Sequence, residues 1–143
     1  MKEYPYRKMN EMREILEVLQ MPSKLKNTRT ILTLLAVARV KEKSKWSQVE
    51  ESYARTHDMI VFMNEYYPNK GGTDLKRGGY SENSRETIRD DSVSPLCSMA
   101  VMEHNGAKSQ SEKSSYRLTK EFATLLRAYG TENWEEELCY YCE

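Results

Sequence analysis

Residues Tyr80 to Met102, YSENSRETIRDDSVSPLCSMAVM, decide how the rest of the chain is read. Asn83 is placed to cap a helix, with Glu86 three residues on to complete a capping box, and that start puts Ser84, Arg85 and Thr87 in the first turn. Ile88, Ser92, Leu96 and Met99 then recur at helical spacing, which predicts one buried face, with Arg85 and Arg89 together on the other. Hydroxyl, amide and guanidinium groups at the start of a helix suit base edges and phosphates. Pro95 lacks an amide hydrogen, so the helix is expected to kink or break there.

The segments before this stretch carry helical patterns. Met9, Met12, Ile15, Leu16 and Leu19 predict a first helix over Tyr6 to Leu19. Asn27 or Thr28 can cap a second, whose Ile31, Leu32, Leu34, Leu35 and Val37 make it the expected centre of the core. Trp46 anchors a short turn, and His57 to Tyr67 predicts a helix with Met59, Ile60, Met63 and Tyr67 inward, ending before Pro68. Two glycine pairs flank Lys70, Lys76 and Arg77 between Pro68 and Gly79, which predicts a long loop able to clasp a phosphate backbone. After it, Met99 to Glu103 and Ser115 to Thr119 are short strand patterns around Asn105-Gly106, a winglike hairpin. Phe122, Leu125, Leu126 and Tyr129 form a closing helix ended by Gly130, and Trp134 with Leu138 begins one more. This order predicts a mainly α fold: a winged helix-turn-helix with extra flanking helices and a small β-hairpin wing, as one domain over residues 1–143.

Charge is balanced in total and uneven in placement. Lysines and arginines number 22 against 22 acids, so the molecule lacks the net positive field common in nucleic-acid binders. Seven basic residues between Lys24 and Lys45 nevertheless face the single acid Glu42, and five glutamates from Glu132 onward have no basic neighbour in sequence. The longest apolar run, Ile31 to Val40, is interrupted by Thr33 and Arg39, and no membrane span is expected. Three cysteines without a cleavable apolar leader point to a reducing cytoplasm, and Cys139-Tyr-Tyr-Cys142 has no second pair at metal-site spacing.

Asn83-Ser84-Arg85-Glu86-Thr87-Ile88-Arg89 resembles the N-T-R-E-T-hydrophobic-R signature in the N-terminal domain of BsuBI/PstI-type restriction endonucleases. Asn27 to Thr30 with Leu32 to Ala36 is similar to that family's N-E-R-S-A-L-T-L-L-A segment, and Trp46-Ser47 to its tryptophan-serine entry to the next helix. Tyr116 to Thr119, Leu125 to Thr131 and Trp134 resemble the segment after the wing, so the likeness runs from about Arg13 to Leu138 in consistent order. The resemblance implies a winged-helix DNA-binding domain of the kind that precedes a magnesium-dependent nuclease in restriction-modification systems. Where the family continues R-R-Q-T, this chain has Arg89-Asp90-Asp91-Ser92, and Ser94-Pro95 stands where the family has a histidine-glutamine pair.

The expected function is therefore DNA binding, with Asn83, Ser84, Arg85 and Thr87 nearest the bases and Arg89, Lys76, Arg77 and Lys113 on phosphates. The alternative is a winged-helix protein-interaction or dimerisation module without DNA binding. Double-stranded DNA is the expected partner and a homodimer a permitted assembly. No catalytic residue, metal ligand or cofactor is expected in this chain. Magnesium would enter only with a following nuclease domain, so the chain is read as a fragment or relative of a type II site-specific deoxyribonuclease. Asp58 with Asp74-Leu-Lys76 has nuclease-like residue types without a strand scaffold, and His57 and His104 are read as a helix-start and a turn residue.

Overall fold

A computed structural model describes residues 3–68, 79–108 and 112–143. Helix α1 (Arg7–Val18) buries Met9, Met12, Ile15 and Leu16 along one stripe, and Tyr6 before it supplies no side-chain cap. The cap comes from far along the chain. Glu42, the one acid of the basic block, accepts hydrogen bonds from the Arg7 and Lys8 amides at 2.7 and 2.9 Å, placing a carboxylate on the positive end of the helix dipole.

Helix α2 (Thr28–Ala38) is the centre of the molecule, buried at every position from Thr30 to Ala38. The Asn27 side chain opens it by accepting from the Thr30 amide at 2.8 Å. Arg39 ends it in the left-handed region at φ 56°, which lets the Val40 amide reach back to the Leu35 carbonyl at 2.9 Å. Helix α3 (Thr56–Tyr66) turns Met59, Ile60 and Met63 onto α2, and Tyr67 follows it fully buried. The Tyr67 hydroxyl donates to the Val40 carbonyl at 2.6 Å, joining the ends of the two helices. Tyr67→Phe should therefore leave a buried acceptor unpaired and cost about 1–3 kcal/mol, read as a lower urea midpoint at an unchanged slope.

Residues 82–98 are helical throughout, in four pieces: a 3-10 turn Glu82–Ser84, α4 (Arg85–Ile88), a π turn Arg89–Val93 and α5 (Ser94–Ser98). The capping box expected at Asn83 does not form. Ser81 holds the cap position, the Ser84 amide bonds to its carbonyl at 2.8 Å, and Asn83 lies inside the first turn. Pro95 does not break the helix either, because the π turn takes up the irregularity. The Ser94 amide reaches five residues back to Arg89, and the chain enters Pro95 with helical angles at Ser94. Met99 is exposed rather than inward, since the helix has stopped at Ser98 and Ala100 takes φ 61°.

That stop also shortens the first strand from the expected Met99–Glu103 to β1 (Met102–His104), paired antiparallel with β2 (Tyr116–Leu118). Ala54 bridges to Tyr116 on the far side, with hydrogen bonds of 2.7 and 2.9 Å in the two directions, so the segment entering α3 is tied to the wing. Helix α6 (Lys120–Arg127) is capped by Thr119, and the chain turns at Gly130 with φ 77°. Helix α7 (Trp134–Cys142) follows, where Trp134 meets Tyr129 edge-on at 5.2 Å and Tyr129 meets Trp46 at 5.6 Å. Leu32, Leu35, Ile60, Met63, Leu96, Tyr116 and Leu126 all belong to one core. The architecture is mainly α, a helix-turn-helix with a hairpin wing and flanking helices. Cys139 and Cys142 lie exposed on α7 as free thiols, and among the described residues no helix is long and apolar enough to cross a membrane.

Candidate nucleic-acid interface

Residues 82–98, the candidate recognition stretch, are fixed from behind by four inward side chains, Ile88, Ser92, Val93 and Leu96. Ser92 and Val93 sit side by side at the end of the π turn and both are buried, Val93 one turn before Leu96. Ser92 carries a hydroxyl into the interior and satisfies it against α2. Its Oγ lies 2.9 Å from the Thr30 hydroxyl and accepts from Arg29 Nε at 3.0 Å.

On the solvent side, the recognition stretch, the first turn of α3 and the wing enclose a groove of about 660 Å³. Arg55, Thr56 and His57 line it from α3; Glu82, Asn83, Arg85, Glu86 and Arg89 line it from the recognition stretch; Glu112 and Ser114 line it from the wing. Three guanidiniums and three carboxylates share this surface, so its formal charge is balanced apart from His57.

The pairing is specific. Arg85 Nε sits 3.2 Å from Glu82 Oε2, Arg89 Nε 3.0 Å from Asp90 Oδ1, and Arg89 Nη2 3.9 Å from Glu86. His57 Nδ1 lies 2.6 Å from Glu82 Oε1, and since a carboxylate only accepts, the ring nitrogen is the donor. Arg55 is held by Asp58, which also accepts from the Arg55 amide at 3.0 Å. Partial burial pushes the Asp58 carboxyl up, but the hydrogen bonds and charge of Arg55 outweigh it and hold the group below the usual carboxylate range. Asp58 is thus a helix-start residue engaged with its own turn, and Asp74 and Lys76 lie outside the described residues.

Of the residues expected to meet DNA, the structure brings Asn83, Arg85 and Arg89 together in the groove. Ser84 is half-buried and Thr87 exposed, neither lining it, and Lys113 stands on the wing between the two lining residues Glu112 and Ser114. Lys76 and Arg77 fall outside the described residues. The α3 wall goes beyond the sequence reading, which gives only His57's place in the helix start; Arg55-Thr56-His57 as the opening of the first helix of the pair is the available signal. His104, expected in a turn, ends β1 instead. Its Nε2 lies 2.8 Å from the Ser114 hydroxyl, and its ring packs on Tyr116.

The family described as the BsuBI/PstI restriction endonuclease HTH domain matches residues 6–143. The type II restriction enzyme BsuBI of Bacillus subtilis is 27% identical over 132 residues, which cover 90% of this chain and 39% of that protein. The solved structure of the SdaI restriction endonuclease matches with a TM-score of 0.79 at 21% identity, covering 94% of this chain and 40% of that one, a likeness of fold. The chain spans about two fifths of the length of each of these relatives.

Proposed function

This chain belongs to the family of BsuBI/PstI restriction endonuclease HTH domains, and on that premise we propose that it binds double-stranded DNA as the target-reading module of a type II restriction enzyme. Residues 82–98 lie in the major groove, with Arg85 paired bidentately to a guanine and Asn83 beside it, while Ser84 and Thr87 meet the DNA from outside the lining of the groove. Arg89, Lys113 on the wing and Lys76 with Arg77 meet phosphates. The observation that carries this reading is the placement of Arg85 and Arg89 on one solvent-facing groove between α3 and the wing. Magnesium-dependent cleavage, in this reading, uses carboxylates outside residues 1–143, and a cytoplasmic setting goes with it.

The carboxylate partners of these arginines do not block such a role. Exposed ion pairs contribute about 0–1 kcal/mol, whereas a bidentate arginine–guanine pair discriminates by about 1–3 kcal/mol, so the exchange favours DNA. Those same pairs, with the neutral total charge, favour a second reading as a protein-interaction module. Fluorescence anisotropy on a randomised duplex pool across a salt series separates the two. The DNA reading expects log affinity to fall with log salt at about 0.9 per neutralised phosphate. It also expects Arg85→Ala to cost about 1–3 kcal/mol on the preferred sequence and little on others. A flat salt profile with no selected sequence would leave the interaction module standing.

A further inference from the structure

We propose that Glu82 is a positioning residue for base reading, acting through Arg85; the role rests on the DNA-binding reading above. Three distances define it. Glu82 Oε2 lies 3.2 Å from Arg85 Nε, and Arg85 Nε also donates to the Glu82 carbonyl at 3.3 Å. Glu82 Oε1 accepts from His57 Nδ1 at 2.6 Å, which ties the carboxylate to the first turn of α3.

The side chain of Glu82 therefore joins two separate helices, whereas Glu86 and Asp90 meet Arg89 within the recognition stretch itself. An arginine reads guanine through two parallel donors of its planar fork. With Nε held by Glu82, the terminal nitrogens are the pair that meets the base, and the angle of the fork is set by α3 rather than left to a flexible side chain. Arginine loses substantial rotamer freedom on binding, and a fork oriented in advance loses less of it at that moment. Stability is a poor reason for the arrangement, because all three side chains are about half exposed and such pairs contribute little. A carboxylate in a DNA-facing groove also repels phosphates, so Glu82 works against general affinity.

These opposing effects give a signature that a merely structural residue would lack. Glu82→Ala should keep or raise affinity for a randomised duplex pool, while lowering the preference at the base pair read by Arg85 about tenfold, part of the range for one bidentate pair. Glu82→Gln should restore part of that preference, because its amide oxygen keeps a partial negative charge beside Arg85 Nε where the carboxylate stood. In an Arg85→Ala background, Glu82→Ala should leave the sequence preference unchanged. The free protein supplies a readout independent of DNA: the Arg85 Nε–H resonance should exchange more slowly in the original chain than in Glu82→Ala. An equal loss of preference with and without Arg85, or a parallel loss of general affinity and preference, would overturn the role. So would loss of Nε–H protection with the preference unaltered. If the original chain binds no duplex, the proposed function itself fails, and Nε–H protection would then mark only an anchored surface arginine.

Discussion

Ile88→Ala should lower the free energy of unfolding by about 2–5 kcal/mol, a large share of what a chain of this size possesses. Ile88 is fully buried and is the apolar contact of α4, the short helix whose other three residues, Arg85, Glu86 and Thr87, are exposed. Helix α4 packs against both α2 and α3, so truncation opens a cavity where these helices meet. Ile88 is the first inward side chain of the helical run 82–98, and its docking holds the turn that carries Arg85 against α2 and α3. Urea unfolding followed by circular dichroism checks this, with Thr87→Ala as control. The neighbouring exposed site should shift stability by less than about 0.5 kcal/mol. Equal midpoints for the two variants would mean that the recognition stretch is not anchored through Ile88.

What can be read from the sequence is the part governed by repeating burial. Met9, Met12, Ile15 and Leu16 mark the buried face of α1, and Ile31 to Val37 mark the buried helix α2, because helix period and burial agree there. The recognition stretch is legible as a helix but not in detail. A search at 3.6-residue spacing finds Ser92 and Leu96 and extends to Met99, yet it cannot foresee the π turn at Arg89–Val93. Nor does it register that Ala100 in the left-handed region ends the run before Met99. Asn83 and Ser81 are both good caps, and the choice between them rests on where the 3-10 turn starts. The groove is half legible. Arg85 and Arg89 announce themselves through spacing, whereas Glu82 meeting His57 across 25 residues of sequence is a product of tertiary packing.

The acidic pair at Asp90 and Asp91 offers the largest expected gain in binding. Both side chains are exposed, and Asp90 accepts from Arg89 Nε at 3.0 Å, a hydrogen bond that raises the guanidinium pKa further. Asp90 therefore opposes DNA twice, by its own charge and by occupying the nitrogen of an arginine proposed to meet phosphate. Changing Asp90→Arg together with Asp91→Gln takes the formal charge of the two positions from −2 to +1, a change of three units. At close range in water each unit is worth about 1 kcal/mol, so affinity at low salt should rise by up to about 3 kcal/mol, more than a hundredfold. The salt dependence should steepen by about 0.9 for each further phosphate neutralised, whether by Arg89 or by the new side chain. Because phosphates carry no sequence information, the tighter binding should appear equally on preferred and random duplexes, in contrast to the selective loss from Arg85→Ala. Anisotropy titrations of both variants at three salt concentrations provide the test. If neither the charge change nor Arg85→Ala alters affinity, the helix does not enter the groove of DNA, and the ion-paired face between α3 and the wing is better read as a surface for another protein.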